Sequence, residues 1–139
     1  MTGRVPVEPD LTLPGHPEVS IVGDLVALQQ DGRPVPGVAP AAMQMGRHAA
    51  QNVLRTLRGE ARRPFRYVDK GSLATIGRAR AVGMIGRLQL HGFVAWLGWC
   101  FIHILYLIGF RNRYVVLSEW IFWYLTGRRG VRLIHRPLE

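Results

Sequence analysis

An uncharged stretch near the C-terminal end constrains this chain more than any other feature. Residues 92–110 contain no Asp, Glu, Lys or Arg over 19 consecutive positions. As one helix the stretch would be about 28 Å long, which nearly matches the roughly 30 Å hydrocarbon core of a bilayer. The chain therefore either meets a membrane or hides this stretch inside something larger than itself.

Charge is distributed unevenly along the 139 residues. Residues 1–39 carry five acidic and two basic side chains, whereas residues 40–139 carry four acidic and 16 basic ones. A basic surface suits either nucleic acid or an anionic membrane. Because arginines bracket an aromatic-rich apolar stretch and no nucleic-acid-binding motif is present, the pattern favours a membrane and argues against nucleic acid.

Aromatic residues mark the apolar region in two groups. The residues predicted to contact a membrane are Trp96, Trp99, Tyr106, Trp120 and Trp123. Trp and Tyr prefer the bilayer interface to its centre, and both flanks of the stretch are basic. A monotopic helix at the cytoplasmic face of the cell membrane is therefore favoured, while a spanning helix and a helix buried in protein remain alternatives.

The first 38 residues predict short extended pieces. Residues 19–24 are a β-branched run that ends in Gly-Asp. They predict a buried strand that delivers the Asp24 carboxylate to a sheet edge, where ligands bind in open α/β folds. A simple turn is the alternative. Residues 25–38 are interpreted as a loop with a turn at Asp31 and Gly32.

A strong helical pattern follows this loop. Apolar residues recur with a period near 3.6 over residues 40–57. Pro40 suits the first helical turn, and Gly59 is a plausible stop. Because the helix starts directly after a glycine-containing loop, its N-terminal dipole is available to a carbonyl or phosphate group placed beside it.

The remaining segments predict a small β element and C-terminal helices. Residues 66–82 read as extended structure with a turn at Lys70 and Gly71, and residues 83–92 as a glycine-punctuated lead into the apolar stretch. Residues 111–113 form a polar break, and the apolar segment 114–125 is too short to span a bilayer. The tail from residue 127 is basic.

Metal and disulfide chemistry find little support. The chain has one cysteine, Cys100, which cannot form an internal disulfide. No pair of the five histidines has ligand spacing within one helix, so no metal site is predicted. The N-terminus lacks the apolar segment of a signal peptide, and we expect the chain to begin in the cytoplasm.

Several segments together resemble one family. Residues 16–24 resemble the second flavin-binding signature of flavoproteins with two dinucleotide-binding domains. The segments that follow at the family's order and spacing are residues 37–47, 67–78, 92–99 and 110–113. Nearly the whole chain resembles the C-terminal part of a type II NADH dehydrogenase, the non-proton-pumping NADH:quinone oxidoreductase.

The resemblance implies an FAD enzyme that takes NADH as substrate and reduces a membrane quinone. By position, the implied cofactor-binding residues are Gly23, Asp24, Ala39, Ala42 and Lys70. The implied quinone-binding residues are Pro40, Met43 and Gln44. Gln44 matches the last glutamine of the family's Ala-Gln-x-Ala-x-Gln pattern, whereas Pro40 replaces its first glutamine and removes a side-chain donor there.

The implied fold is a partial α/β, or α+β, arrangement: the C-terminal part of a Rossmann-like flavoprotein followed by membrane-docking helices. Residues 1–60 would complete an FAD-binding domain, residues 61–82 would be a β-rich connector, and residues 83–139 would be the membrane-anchoring helical region. The sequence has no Gly-x-Gly-x-x-Gly after a strand. We therefore expect the chain alone to be inactive and to need a complementary N-terminal chain; a homodimer and a non-catalytic membrane module remain alternatives.

Overall fold

The computed structural model describes residues 3–127, which divide into two compact units between Lys70 and Gly71. The first unit combines short strand pairs with one long helix, and the second combines a three-stranded sheet with two helices. At this level the predicted α+β character is confirmed.

The first unit contains three two-stranded pairings. They join β1 (Val5–Pro6) in parallel with β4 (Val26–Ala27), β2 (Thr12–Leu13) antiparallel with β3 (His16–Ser20), and β5 (Gln29–Gln30) antiparallel with β6 (Arg33–Pro34). Asp31 and Gly32 connect the last pair, and both have positive φ, 51° and 74°. This is the backbone that a two-residue hairpin turn requires, so the predicted turn is confirmed. The predicted loop over residues 25–38 instead contains β4, β5 and β6.

The predicted buried strand over residues 19–24 is wrong. The strand is β3, which ends at Ser20 and is largely exposed, and Gly23–Leu25 forms a 3-10 helical turn. A buried strand needs partners on both sides, whereas within residues 3–70 β3 pairs with β2 alone. Val19 and Val22 consequently remain about 40% exposed.

The helix α1 (Ala39–Leu57) confirms the predicted helix, with proline in its first turn and Gly59 at a φ of +72° directly after its C-cap. Its buried positions recur at helical spacing and are Ala41, Met45, Ala49 and Asn52. Two of them join the core of the unit, together with Leu11, Val26 and Val35.

Residues 60–68, here called the return segment, run back along α1 without forming a strand. Side-chain amides of Asn52 and Gln44 bind the backbone of Arg63 and Val68. Since position 63 meets position 52 and position 68 meets position 44, the segment runs antiparallel to the helix. Extended structure was predicted from residue 66, but the first strand of the β element begins at Ser72.

The second unit is built on an antiparallel sheet of β7 (Ser72–Gly77), β8 (Arg80–Ile85) and β9 (Leu88–His91), in that order. Residues 83–92, predicted as a lead into the apolar stretch, instead contain the end of β8, a two-residue turn, all of β9 and the first residue of the following helix. Gly83 pairs with Leu73 and leaves room for its side chain, because a Cβ at Gly83 would stand 2.2 Å from the Leu73 Cδ2. The resulting sheet packs against the helix that follows it.

The apolar stretch is divided between two helices, α2 (Gly92–Tyr106) and α3 (Phe110–Thr126). Leu107 leaves the helical conformation, and Gly109 has a φ of +83° that favours glycine. Within residues 3–127, no helix combines the length and apolar content that crossing a bilayer demands.

Arg113 holds this break in place. Its Nε donates to the carbonyl oxygen of Leu107 at 2.9 Å, and its Nη2 donates to that of Leu105 at 2.8 Å. The last carbonyls of a helix lack partners within the helix, so a cation at this position satisfies them and complements the helix dipole. The predicted polar break at residues 111–113 thus lies in the first turn of α3, where it caps α2.

Candidate functional site

The first candidate site lies where the 3-10 turn packs against the start of α1. A Cβ built on Gly23 would stand 3.8 Å from the Ala42 Cβ, and Gly23 adopts a φ of +84°. The Gly23 amide points at the sulfur of Met45, with a separation of 3.3 Å. The structure therefore brings together two of the residues predicted to bind a cofactor, Gly23 and Ala42.

Asp24 lies at the same place. The Cβ position of Gly37 is 3.5 Å from the Asp24 Oδ1 and 3.0 Å from the Arg4 Nη2. Asp24 is exposed, so its carboxylate is available to hydroxyl groups of a ligand. Ala39 begins the helix at this point, and no side chain caps the helix N-terminus, which leaves its positive dipole end open to a carbonyl oxygen.

The predicted quinone residues lie on α1. Pro40 and Met43 are half-buried, and Gln44 forms two hydrogen bonds of 3.0 Å with the backbone of Val68. The Gln44 amide therefore positions the return segment. A quinone carbonyl only accepts hydrogen bonds. Gln44 could therefore bind it only through the second hydrogen of its Nε2, since the first is donated to the Val68 carbonyl.

Gln30 repeats this arrangement one residue earlier in the return segment. Its Oε1 accepts from the Tyr67 amide at 2.8 Å, and its Nε2 donates to the Tyr67 carbonyl at 3.2 Å. Consecutive residues are thus fixed by glutamines from two different elements. Lys70 follows two residues after Val68 and is exposed. The hydrogen bonds from Gln30 and Gln44 therefore fix the backbone that leads to this lysine.

Two ionisable groups near the return segment have shifted pKa values. Burial raises the pKa of Asp10, but hydrogen bonds from Thr12 and the charge of Arg62 outweigh it, and the net pKa is lowered. The Asp10 Oδ2 lies 3.7 Å from the Arg62 Nη1. Burial and the neighbouring Asp69 raise the pKa of Tyr67. Both groups therefore stay in their ordinary charge states at neutral pH.

The residues around Gly23 fit one part of a flavin nucleotide. They offer a carboxylate, a glycine with positive φ and an uncapped helix N-terminus. These donors suit the sugar-like chain and the pyrimidine edge of a flavin. A glycine-rich phosphate loop is absent from the sequence. Within residues 3–127, no cluster of three or more His, Cys, Asp or Glu could hold a metal ion.

The second candidate site is the aromatic face of the α2–α3 hairpin. Trp99 stacks on Trp120 with ring centroids 5.6 Å apart, and Trp96 meets Tyr124 at 5.1 Å. These contacts pair the two helices in antiparallel order. Of the other predicted membrane residues, Tyr106 is 46% exposed and Trp123 is 38% exposed.

Four side chains with clear structural roles were missed by sequence reasoning: Gln30, Asn52, Arg78 and Arg113. Each binds backbone atoms far along the chain or beyond a helix end. The Arg113 contact could have been found from the sequence. Gly109 indicates a helix break, and a cation shortly after a break can bind the free carbonyls at the end of the preceding helix. The amide contacts left no such signal, because no local pattern marks a side chain that binds a distant peptide group.

Comparison with known proteins shows which proteins this chain is similar to. Residues 70–129 match the family model of the NDH2 C-terminal domain. The type II NADH:quinone oxidoreductase Ndh of Mycobacterium tuberculosis is 44% identical over 131 residues, covering 92% of this chain and 27% of that protein. The second enzyme of this organism, NdhA, is 44% identical over 132 residues. The chain is similar to the C-terminal part of the type II NADH dehydrogenases.

Further relatives agree with this assignment. The type II NADH:quinone oxidoreductase of Staphylococcus epidermidis is 40% identical over 85 residues, covering 60% of this chain and 21% of that protein. The structure of NDH2 from Plasmodium falciparum in complex with NADH has a similar fold, with a TM-score of 0.63 at 21% identity over 72% of this chain and 21% of that one. The type II NADH dehydrogenase resemblance is thus confirmed, and the chain spans about a quarter of the length of the curated relatives it matches.

Proposed function

We propose that this chain is the portion of an FAD-dependent NADH:quinone oxidoreductase that faces the membrane and its quinone. Similarity to the type II NADH dehydrogenases supports this function, and one structural observation carries the membrane part of it. That observation is the exposure of large apolar side chains on α2, in the break after it and on α3, with Val94 at 67%, Ile108 at 89% and Phe110 at 85%. Many large apolar side chains exposed on one pair of helices are typical of an interaction or membrane site.

The first unit would hold one edge of the flavin. Asp24 would accept hydrogen bonds from the ribityl chain, and Gly23 would let the backbone approach it. Ala39 and Ala42 would present the helix N-terminus to the pyrimidine edge, and Lys70 would lie near the ring system. Bound there, FAD supplies hydride acceptance from NADH and electron delivery to a quinone. The residues of this chain would bind the flavin and hold it in a fixed orientation.

The quinone would approach beside Pro40, Met43 and Gln44. Pro40 offers neither a side-chain donor nor a backbone N–H, so a quinone carbonyl cannot be held there by a hydrogen bond. Met43 supplies an apolar, adaptable contact for a ring or an isoprenoid chain. Orientation of the quinone would depend on the amide of Gln44, which is already fixed by Val68.

The hairpin would dock on the cytoplasmic face of the cell membrane as a monotopic element. Its tryptophans and tyrosines suit the interface, and its arginines suit anionic headgroups, with each base contributing about 1 kcal/mol near such a surface. A complementary polypeptide would supply the NADH-binding domain.

Catalysis by the purified chain alone is expected to be absent, because the given sequence contains no Gly-x-Gly-x-x-Gly motif after a strand. The measurement is flavin absorbance of the purified chain together with NADH-driven reduction of a soluble quinone. The intact Ndh of Mycobacterium tuberculosis serves as the positive control. Robust turnover by the isolated chain would contradict this expectation. Restoration of turnover by a separately produced NADH-binding portion would support the role as part of the enzyme.

Membrane docking is tested by vesicle flotation with the double variant Ile108→Asp and Phe110→Asp. Burying each of these side chains is worth about 1.5–3 kcal/mol, so we expect partitioning into anionic vesicles to fall at least tenfold. Leu57→Asp is the matched control, because Leu57 is 79% exposed but lies on α1. Equal losses from both variants would refute docking through the hairpin.

A second candidate function is a membrane-associating module without catalysis. It is favoured by the exposed apolar side chains of the hairpin, together with the lack of a Gly-x-Gly-x-x-Gly motif after a strand in this sequence. The two functions differ in one outcome: a module would float with vesicles, yet no complementary chain would restore flavin binding or turnover. Flotation together with complementation therefore separates them.

A further inference from the structure

The α2–α3 hairpin contains a cavity that the proposed function does not explain. Its volume is about 790 Å³, within the range of about 300–1,000 Å³ typical of small-molecule sites. The lining is almost entirely apolar and includes all four tryptophans of the chain. Arg78 is the one cation among the lining residues. A cavity with apolar walls and a single cation selects a molecule with an apolar body and a negative group.

Arg78 is held at this cavity by the end of α3. Its guanidinium carbon lies 4.6 Å from the centroid of the Tyr124 ring, and its Nη2 donates to the carbonyl oxygen of Tyr124. Within residues 3–127, its Nε and Nη1 have no further hydrogen-bond partner. The arginine is thus fixed in position while part of its donor fork remains open.

An open guanidinium fork matches an oxyanion rather than a neutral carbonyl. Phosphate accepts charge-assisted hydrogen bonds from a guanidinium, and these are stronger than hydrogen bonds to a neutral acceptor. A quinone offers one weak neutral acceptor on each side and would leave the positive charge unpaired. Because Arg78 also occupies the Tyr124 carbonyl, it offsets the negative end of the α3 dipole that would otherwise repel an anion.

We propose that this cavity binds a single anionic phospholipid, with its phosphate on Arg78 and an acyl chain among the tryptophans. The proposal rests on the proposed membrane function and adds one specific lipid site to a docking surface. Tryptophan prefers the depth of the headgroups, which is where a phosphate held by Arg78 would lie. Docking would then depend on lipid chemistry as well as on apolar area.

The test uses the full chain and monomeric lysolipids below their micelle-forming concentrations. Lysophosphatidylglycerol and lysophosphatidylcholine with the same acyl chain are compared by tryptophan fluorescence, and stoichiometry is read by native mass spectrometry. We expect one lysophosphatidylglycerol per chain, bound about tenfold more tightly than the zwitterionic lipid, as one charge-assisted contact predicts. Bromine on the acyl chain should quench the tryptophans. Equal affinity for the two lipids would overturn the proposal.

Variants locate the site. Arg78→Gln should abolish the preference for lysophosphatidylglycerol, while Arg80→Gln, which removes the same charge two residues away, should change affinity less than twofold. Cys100→Phe, which fills the cavity without altering charge, should remove bound lipid while leaving the thermal transition in place. Equal effects of the two arginine variants would indicate surface electrostatics and refute the site. Displacement by a short-tailed quinone at lower concentration than the lipid would likewise overturn it.

The experiments distinguish failure of this lipid site from failure of the proposed function. If wild-type chain floats with vesicles but shows no lysolipid preference, docking stands and the specific site fails. If neither flotation nor lysolipid binding occurs, both fail. Flotation of Arg78→Gln on vesicles of phosphatidylcholine alone should match wild type, because apolar contacts are unchanged there.

Discussion

Replacing Gly71 by alanine is expected to destabilise the second unit by about 3 kcal/mol or more. A Cβ at this position would stand 2.1 Å from the backbone oxygen of Met84 and 3.0 Å from the Ile85 Cα. Gly71 also has a φ of +97°, which side-chain-bearing residues rarely adopt. Because the obstacle is backbone of the neighbouring strand, β8 would have to move, and a strained turn adds its own cost.

Urea unfolding followed by tryptophan fluorescence measures this effect, since all four tryptophans lie in the second unit. Gly77→Ala is the matched control. Gly77 lies at the end of β7, its Cβ would meet nothing within 4 Å, and its φ is outside the positive region. We expect the control to change the free energy of unfolding by less than about 0.5 kcal/mol. Similar losses from the two variants would contradict the role assigned to Gly71.

Local patterns allowed α1 to be predicted almost to the residue. The apolar period, Pro40 at the start and Gly59 after the end all act within a few positions, and helix formation depends on contacts at that range. The hairpin turn at Asp31 and Gly32 followed for the same reason. Its two residues adopt the positive φ values that such turns require.

Elements that depend on distant partners could not be predicted in this way. Residues 19–24 have the composition of a buried strand, but burial of a strand depends on neighbours, and β3 has β2 alone within the described unit. The continuous hydropathy of residues 92–110 predicts one helix. The positive φ of Gly109 and the capping arginine at position 113 divide the stretch, and neither changes its hydropathy.

The candidate site likewise contains both residues whose placement the sequence predicted and residues whose contacts it did not. The resemblance placed Gly23 and Ala42 near one cofactor, and the structure packs them against each other. It also placed Gln44 at a quinone, whereas the structure gives both ends of its amide to Val68. The Gln44 side chain on α1 therefore stabilises the return segment, whether or not it also contacts a quinone.

Replacing Asn52 by leucine should release the return segment and destabilise the first unit by about 2–3 kcal/mol. Asn52 is 2% exposed, accepts a hydrogen bond from the Arg63 amide at 2.9 Å and donates one to the Arg63 carbonyl at 2.9 Å. Leucine has a similar size but cannot bind either group. An amide hydrogen left without a partner in a partly buried position costs about 1–3 kcal/mol, and the lost donor adds to it.

Hydrogen exchange read residue by residue distinguishes release of the segment from general unfolding. Exchange should accelerate most at Arg63 and Phe65, whose amides bind Asn52 and the Pro9 carbonyl, and less at Val68, which Gln44 still holds. Gln51→Leu, at the adjacent exposed position of α1, is the control and should leave exchange unchanged. Uniform acceleration throughout residues 3–70 would contradict a local role. Graded loss would mean that Asn52 sets how firmly the backbone leading to Lys70 is held beside the proposed flavin edge.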